Sequence, residues 1–99
     1  MDKLKFDEKI ITKILEKYGF KAQELKLAEE CCELSAAILK NQSKNNNETF
    51  KAMIDEIADV AIMIEQATHI FSAEAIQRRI DFKLNRQINR IKESENNLK

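Results

Sequence analysis

The sequence contains no proline, no tryptophan and a single glycine, Gly19, in 99 residues. A β-rich chain would need more turn residues and more β-branched residues in alternation, so this composition favours an all-α protein. The length suits one domain, residues 1–99, and we expect its ends (1–5 and 93–99) to fray.

Long hydrophobic runs are also absent, since no stretch approaches the roughly 20 apolar residues that cross a bilayer. The first 15 residues, MDKLKFDEKIITKIL, lack the apolar region and cleavage site of a signal peptide. We therefore expect a soluble cytoplasmic protein without a membrane partner. The cysteines, Cys31 and Cys32, are adjacent and would point about 100° apart on a helix, so we expect reduced thiols that pack in the protein.

Several familiar catalytic patterns are missing. A chain with one glycine has neither a P-loop nor a Rossmann glycine pattern, and no Ser-His-Asp set is present. His69 is the only histidine and follows Glu65 by four residues. A ferritin-like di-iron bundle needs two Glu-x-x-His pairs, so we interpret His69 as a helix-end residue rather than a ligand.

The formal net charge is zero, but the charges are segregated. Residues 28–65 contain eight acids and three bases, whereas residues 76–92 contain six bases and one acid. A neutral chain without a recognition motif is not typical of a nucleic-acid-binding protein. An acidic middle and a basic final segment fit a site that joins a metal ion to phosphate.

Apolar periodicity predicts four helices, at about residues 6–17, 22–39, 48–67 and 73–92. Gly19 suits the break after the first, Asn47 and Ser72 are predicted N-caps, and residues 41–47 (NQSKNNN) read as an exposed loop. Apolar residues cover about 200° of the second helix, more than four short helices can bury. We therefore predict a homo-oligomer, a dimer or a tetramer.

Two acidic clusters interrupt these apolar helices, and each contains a pair spaced i,i+3, so that its side chains lie one above the other. Carboxylates beside apolar residues are costly to bury without a cation. If the two helices pack antiparallel, the pairs converge, and hard oxygen ligands select Mg²⁺ or, as a substitute, Mn²⁺. The clusters comprise Glu29, Glu30 and Glu33 on the second helix and Asp55, Glu56 and Asp59 on the third.

These residues give the chain a family resemblance. The motif Glu29-Glu30-Cys31-Cys32-Glu33, followed after 22 residues by Glu56-Ile57-Ala58-Asp59, resembles the EExxE…ExxD signature of the MazG-like nucleoside triphosphate pyrophosphohydrolases. The resemblance implies a helical bundle, active as a dimer or tetramer, that uses Mg²⁺ to cleave nucleoside triphosphates into monophosphate and pyrophosphate. It implies that Glu29 orients or deprotonates the attacking water, and that the metal ligands are Glu30, Glu33, Glu56 and Asp59.

A basic stripe follows the last helix at i, i+4, i+7 and i+11, and we define it by Arg79, Lys83, Arg86 and Arg90. Arginine and lysine beside an apolar edge can hold phosphate oxygens, so we expect these residues, Lys83 and Arg86 first, to bind the substrate's phosphates. Lys26 lies within the acidic sector of the second helix and is a further candidate for a phosphate contact. The alternative is a solvated cationic face, or one that pairs with acids of a neighbouring subunit.

The sequence thus predicts a Mg²⁺-dependent nucleoside triphosphate pyrophosphohydrolase. A phosphoribosyl-ATP hydrolase or a dUTP- or dCTP-specific relative is an alternative within the same superfamily, because the acidic motifs recognise metal and phosphate rather than the base. A non-catalytic helical oligomer, whose acids face solvent or another subunit, is an alternative of a different class.

Overall fold

The computed structural model describes residues 3–97, which form four helices: α1 (Glu8–Tyr18), α2 (Phe20–Lys44), α3 (Asn47–Ile70) and α4 (Ala73–Asn97). No strand occurs in this part of the chain, so the all-α prediction is confirmed. The predicted fraying at 1–2 and 98–99 lies outside the described residues, while 93–97 continue α4. Within residues 3–97, none of the helices is both long and apolar enough to cross a membrane.

The helix boundaries follow from local capping. The Asp7 carboxylate accepts hydrogen bonds from the backbone N–H of Lys9 and Ile10 and begins α1. Gly19, at φ 87°, donates its N–H to the Leu15 carbonyl and ends that helix in a conformation that glycine adopts without strain. Ser72 accepts from the Ala75 N–H, as predicted for the N-cap of α4.

The predicted loop at 41–47 is wrong for residues 41–44, which end α2, and for Asn47, which begins α3. Asn45, at φ 48°, takes the left-handed conformation that ends α2. The N-cap of α3 is Asn46 rather than Asn47, because Asn46 and Thr49 exchange hydrogen bonds in a capping box. Asn41 accepts a bond of 3.0 Å from the Thr49 hydroxyl, which holds the last turn of α2 against the start of α3.

Helices α2 and α3 form an antiparallel pair, because Gln23 near the start of α2 meets Gln66 near the end of α3. Helix α1 packs on both, and its buried residues share a small core with α3: Ile11, Leu15, Met63 and Ala67. Helix α4 contacts only α3, and in Ala73–Asn97 only Ile76 is half-buried. The antiparallel pair therefore positions the acidic residues, and α4 projects from it.

Candidate metal centre

The antiparallel packing of α2 and α3 brings the two acidic clusters together. Carboxylate oxygens of Glu30, Glu56 and Asp59 all lie within 4.8 Å of one another, and so do those of Glu29, Glu30 and Glu33. Glu30 belongs to both sets and links them. Of the four ligands that the family resemblance implies, three converge directly, and Glu33 adjoins them through Glu30.

Glu30 is the most deeply buried acid of this centre, with 6% of its surface exposed. One of its oxygens, Oε1, lies 3.3 Å from the Lys26 ammonium group. The other, Oε2, is buried without a hydrogen-bond partner among the described residues, as is Oε2 of Glu56. A buried carboxylate oxygen without a donor is costly, and a cation placed between these side chains would offset that cost.

The pKa values of two carboxyls in this centre reflect repulsion between neighbouring negative charges. The pKa of Glu33 is raised above its usual value of 4.5, chiefly by the negative charge of Glu30. The pKa of Glu56 is also raised, first by loss of solvent around the carboxyl and then by the charges of Glu33, Glu30 and Asp59. Without a cation, the folded chain therefore holds protons on these carboxyls more strongly than an unfolded chain does.

Lys26 and Glu29 form the exposed edge of the centre. The Lys26 ammonium lies 3.3 Å from a Glu29 oxygen, and its contacts with Glu29 and Glu30 raise the pKa of Lys26. Glu29 remains exposed and can therefore reach a solvent molecule beside the centre. Asp55 is exposed as well and belongs to neither set of converging carboxylates.

The basic stripe does not reach this centre within one chain. Arg79, Lys83, Arg86 and Arg90 are exposed on α4, where the guanidinium groups of Arg79 and Arg86 lie over the ring of Phe82, at 4.5 and 5.8 Å. The two cavities that border the acids are lined by residues from α1, α2, α3 and the α2–α3 turn, with none from α4.

An open cleft of about 580 Å³ adjoins Glu30 and Asp59. Its walls include Tyr18 of α1, and it contains a buried amide pair in which Gln23 Nε2 donates to Gln66 Oε1 at 2.7 Å. Gln66 is the most buried side chain described, with 1% exposed. The sequence analysis did not single out Gln66. Its position between Met63 and Ala67, on the face of α3 that the core covers, indicates a buried polar side chain.

The cysteines of the EExxE motif do not pack as predicted. Both Cys31 and Cys32 are exposed free thiols, because α2 turns this side away from α1 and α3. The prediction of packing thiols is therefore wrong for the single chain.

Comparisons of the chain with protein-family models, with curated proteins and with solved structures found no match. The family resemblance therefore depends on the two acidic motifs and their spacing.

Proposed function

We propose that this protein is a Mg²⁺-dependent nucleoside triphosphate pyrophosphohydrolase. The observation that carries the proposal is the meeting of Glu30, Glu56 and Asp59 from two helices around buried carboxylate oxygens that lack a partner. The spacing of the two acidic motifs is what directs the proposal to pyrophosphohydrolysis among the reactions that use such a centre.

The residues present fit a hard divalent cation. Glu30, Glu56 and Asp59 would hold Mg²⁺ or Mn²⁺, with Glu33 close enough to join them, and all four offer only oxygen ligands. A bound Mg²⁺ would neutralise polyphosphate charge and lower the pKa of a coordinated water. Glu29, exposed at the edge of the centre, would orient the attacking water and accept its proton. Lys26, between Glu29 and Glu30, would keep both carboxylates in place and face the phosphates.

The cleft beside the centre supplies a place for the nucleoside. It has apolar walls, a tyrosine and a buried amide pair, and it adjoins two of the proposed ligands. An aromatic ring and carboxamides are suited to stack on and hydrogen-bond to a base. In this proposal, the α-phosphate lies at Glu30 and Asp59, and the base enters the cleft toward Gln23 and Gln66.

A homo-oligomer is part of the proposal. The single chain exposes 8271 Å², whereas a compact monomer of its 11.5 kDa exposes about 5,800 Å². Its radius of gyration is 17.2 Å, against about 13 Å for a compact domain of this length. The excess of about 2,500 Å² matches the interface of an obligate assembly. Apolar residues along α4 are exposed and would be covered there: Ile80, Leu84, Ile88 and Ile91.

Assembly would also explain the distance between the basic stripe and the acids. Because α4 projects from its own chain, its arginines and Lys83 can contact phosphates bound at a second copy's centre. Those bases would neutralise the departing pyrophosphate. The alternative of an inert oligomer places the same stripe against the acids directly, with no need for a metal ion.

The test is pyrophosphate release from a panel of canonical and modified ribo- and deoxyribonucleoside triphosphates, with Mg²⁺ and with EDTA. We expect monophosphate and pyrophosphate in equal amounts from at least one of them, only with the metal. Hydrolysis in ¹⁸O-water should place the label in the monophosphate. Release of inorganic phosphate instead, or equal rates in EDTA, would contradict the proposal.

A further inference from the structure

A second group of candidate ligands lies where α1 begins and α3 ends, and the acidic centre does not use it. Glu8 comes from the first turn of α1, and Glu65 and His69 are one helical turn apart on α3. His69 Nε2 lies 3.2 Å from a Glu8 oxygen and 4.0 Å from a Glu65 oxygen. One donor atom from each residue lies within 4.8 Å of the other two.

Among the described residues, this group has two carboxylates and a single basic partner. In residues 3–97, no lysine or arginine lies within 4.0 Å of the Glu8 or Glu65 carboxylate, so His69 is their one basic neighbour. One oxygen of the Glu8 carboxylate also lies within 4.8 Å of one oxygen of the Glu65 carboxylate. Like charges from two helices therefore meet beside a single imidazole, an arrangement that a bound cation would relieve.

The geometry is close to that of a coordination sphere. Ligand atoms held at about 2.0–2.1 Å from a tetrahedral ion lie roughly 3.3 Å from one another. Shifts of one or two side-chain torsions would bring the donor atoms of Glu8, Glu65 and His69 to that separation. Imidazole nitrogen with two carboxylates favours Zn²⁺ and similar first-row ions over Mg²⁺. The last turn of α3, where His69 lies, also presents the negative end of its helix dipole.

We propose that Glu8, Glu65 and His69 bind one zinc-class divalent ion, with the fourth position left to water, and so fasten the start of α1 to the end of α3. The site is separate from the acidic centre. Glu65 lies about 9 Å along α3 from Asp59 and roughly 120° around its axis. The inference does not depend on the proposed function, and it reverses the interpretation of His69 as a helix-end residue without a ligand role.

Zinc titration calorimetry on the full chain tests the site. Thiols also bind zinc, so the measurement uses the Cys31→Ser/Cys32→Ser background, and excess Mg²⁺ is present to compete with zinc for the acidic centre if that centre binds it. We expect one Zn²⁺ per chain. Binding should weaken at least about tenfold in His69→Gln and in Glu8→Gln. Glu16→Gln, a substitution elsewhere on the exposed surface of α1, should bind as the background does.

Circular dichroism of each variant shows whether it folds, and Glu8→Gln keeps the test valid if His69→Gln does not, because Glu8 is exposed. Co²⁺ provides a second readout, since the strong visible absorption of a four-coordinate Co²⁺ should weaken in His69→Gln, where the ion loses one protein ligand. Failure of the background chain to bind Zn²⁺, or an affinity for Zn²⁺ in both variants that equals that of the background, would overturn the proposal. Loss of zinc binding in Glu30→Gln with retention in His69→Gln would assign the zinc to the acidic centre and would overturn it as well.

Discussion

Glu30→Gln is expected to reduce pyrophosphate release at least about 100-fold while the helical fold remains. Glu30 is the one carboxylate shared by both sets of converging acids, and its Oε2 is buried without a donor. Glutamine keeps the shape of the side chain but removes its negative charge, so the metal loses its central ligand. The same change relieves repulsion with Glu33 and Glu56, so the metal-free variant should melt at a higher temperature than the metal-free wild type.

Glu30→Gln is expected to lower activity but to raise the melting temperature of the metal-free protein. These opposite changes distinguish a metal ligand from a residue that only supports the fold. A residue that only supports the fold would lose stability and activity together. Asp59→Asn should repeat the loss of activity, and Glu24→Gln, an exposed residue on α2 outside the cluster, should leave both quantities unchanged. Steady-state rates and thermal melts in EDTA provide the comparison. Retained activity in both Glu30→Gln and Asp59→Asn would remove the acidic centre from the mechanism.

The second large effect is expected on assembly, when glutamates replace Ile80 and Ile88 on the apolar stripe of α4. Both side chains are exposed in the single chain, at 42% and 49%, and the proposed interface covers them. Covering the exposed half of these two isoleucines contributes roughly 1.5–3 kcal/mol, and burying the two glutamate charges adds a larger cost, so association should weaken at least about 100-fold. Helix content should also fall, because an isolated amphipathic helix depends on packing.

Sedimentation velocity over a range of concentrations measures this effect. The wild type should sediment with a mass of at least twice the 11.5 kDa of one chain. The Ile80→Glu/Ile88→Glu variant should sediment as a monomer at the lower concentrations. Asn85→Glu/Asn89→Glu adds the same charge to a polar side of α4, about 120° around the helix axis from the mean direction of Ile80 and Ile88, and should leave assembly intact. A wild type that stays monomeric at high micromolar concentration would contradict the account, because its apolar surface would then be exposed to water.

The sequence was sufficient to predict the number of helices and the meeting of Glu30, Glu56 and Asp59, whereas the predicted fourth ligand, Glu33, groups with Glu29 and Glu30 instead. Gly19 and the apolar periodicity separate the helices, and i,i+3 spacing aligns the carboxylates on facing sides of α2 and α3. Helix ends were less predictable, because caps decide them. Gln42, Ser43 and Lys44 are compatible with a helix, and the left-handed Asn45 together with the Asn46–Thr49 capping box decides where α2 ends and α3 begins.

Contacts between residues that are far apart in the sequence could not be predicted from its patterns. Glu8 and His69 are 61 positions apart, so no periodicity relates them. Gln66 pairs with Gln23 across 43 positions, and neither glutamine alone indicates a buried amide pair. The exposure of Cys31 and Cys32 has the same origin, since apolar content on α2 does not show which side α1 and α3 will cover.

The pH dependence of the metal-free protein follows from the raised pKa values of Glu33 and Glu56. A carboxyl whose pKa is higher in the folded state stabilises the fold below its unfolded value of about 4.5, and this contribution is lost as the pH rises through the folded value. These two groups therefore make the metal-free protein less stable at neutral than at mildly acidic pH. A bound cation should cancel their contribution.

The most direct measurement is the melting temperature of the wild type at neutral pH, first in EDTA and then with increasing Mg²⁺. The account predicts a rise that continues with the logarithm of Mg²⁺ concentration above the dissociation constant, and its loss in Glu30→Gln. A wild-type melting temperature that Mg²⁺ leaves unchanged, in a folded and assembled sample, would contradict the metal centre and favour the inert oligomer.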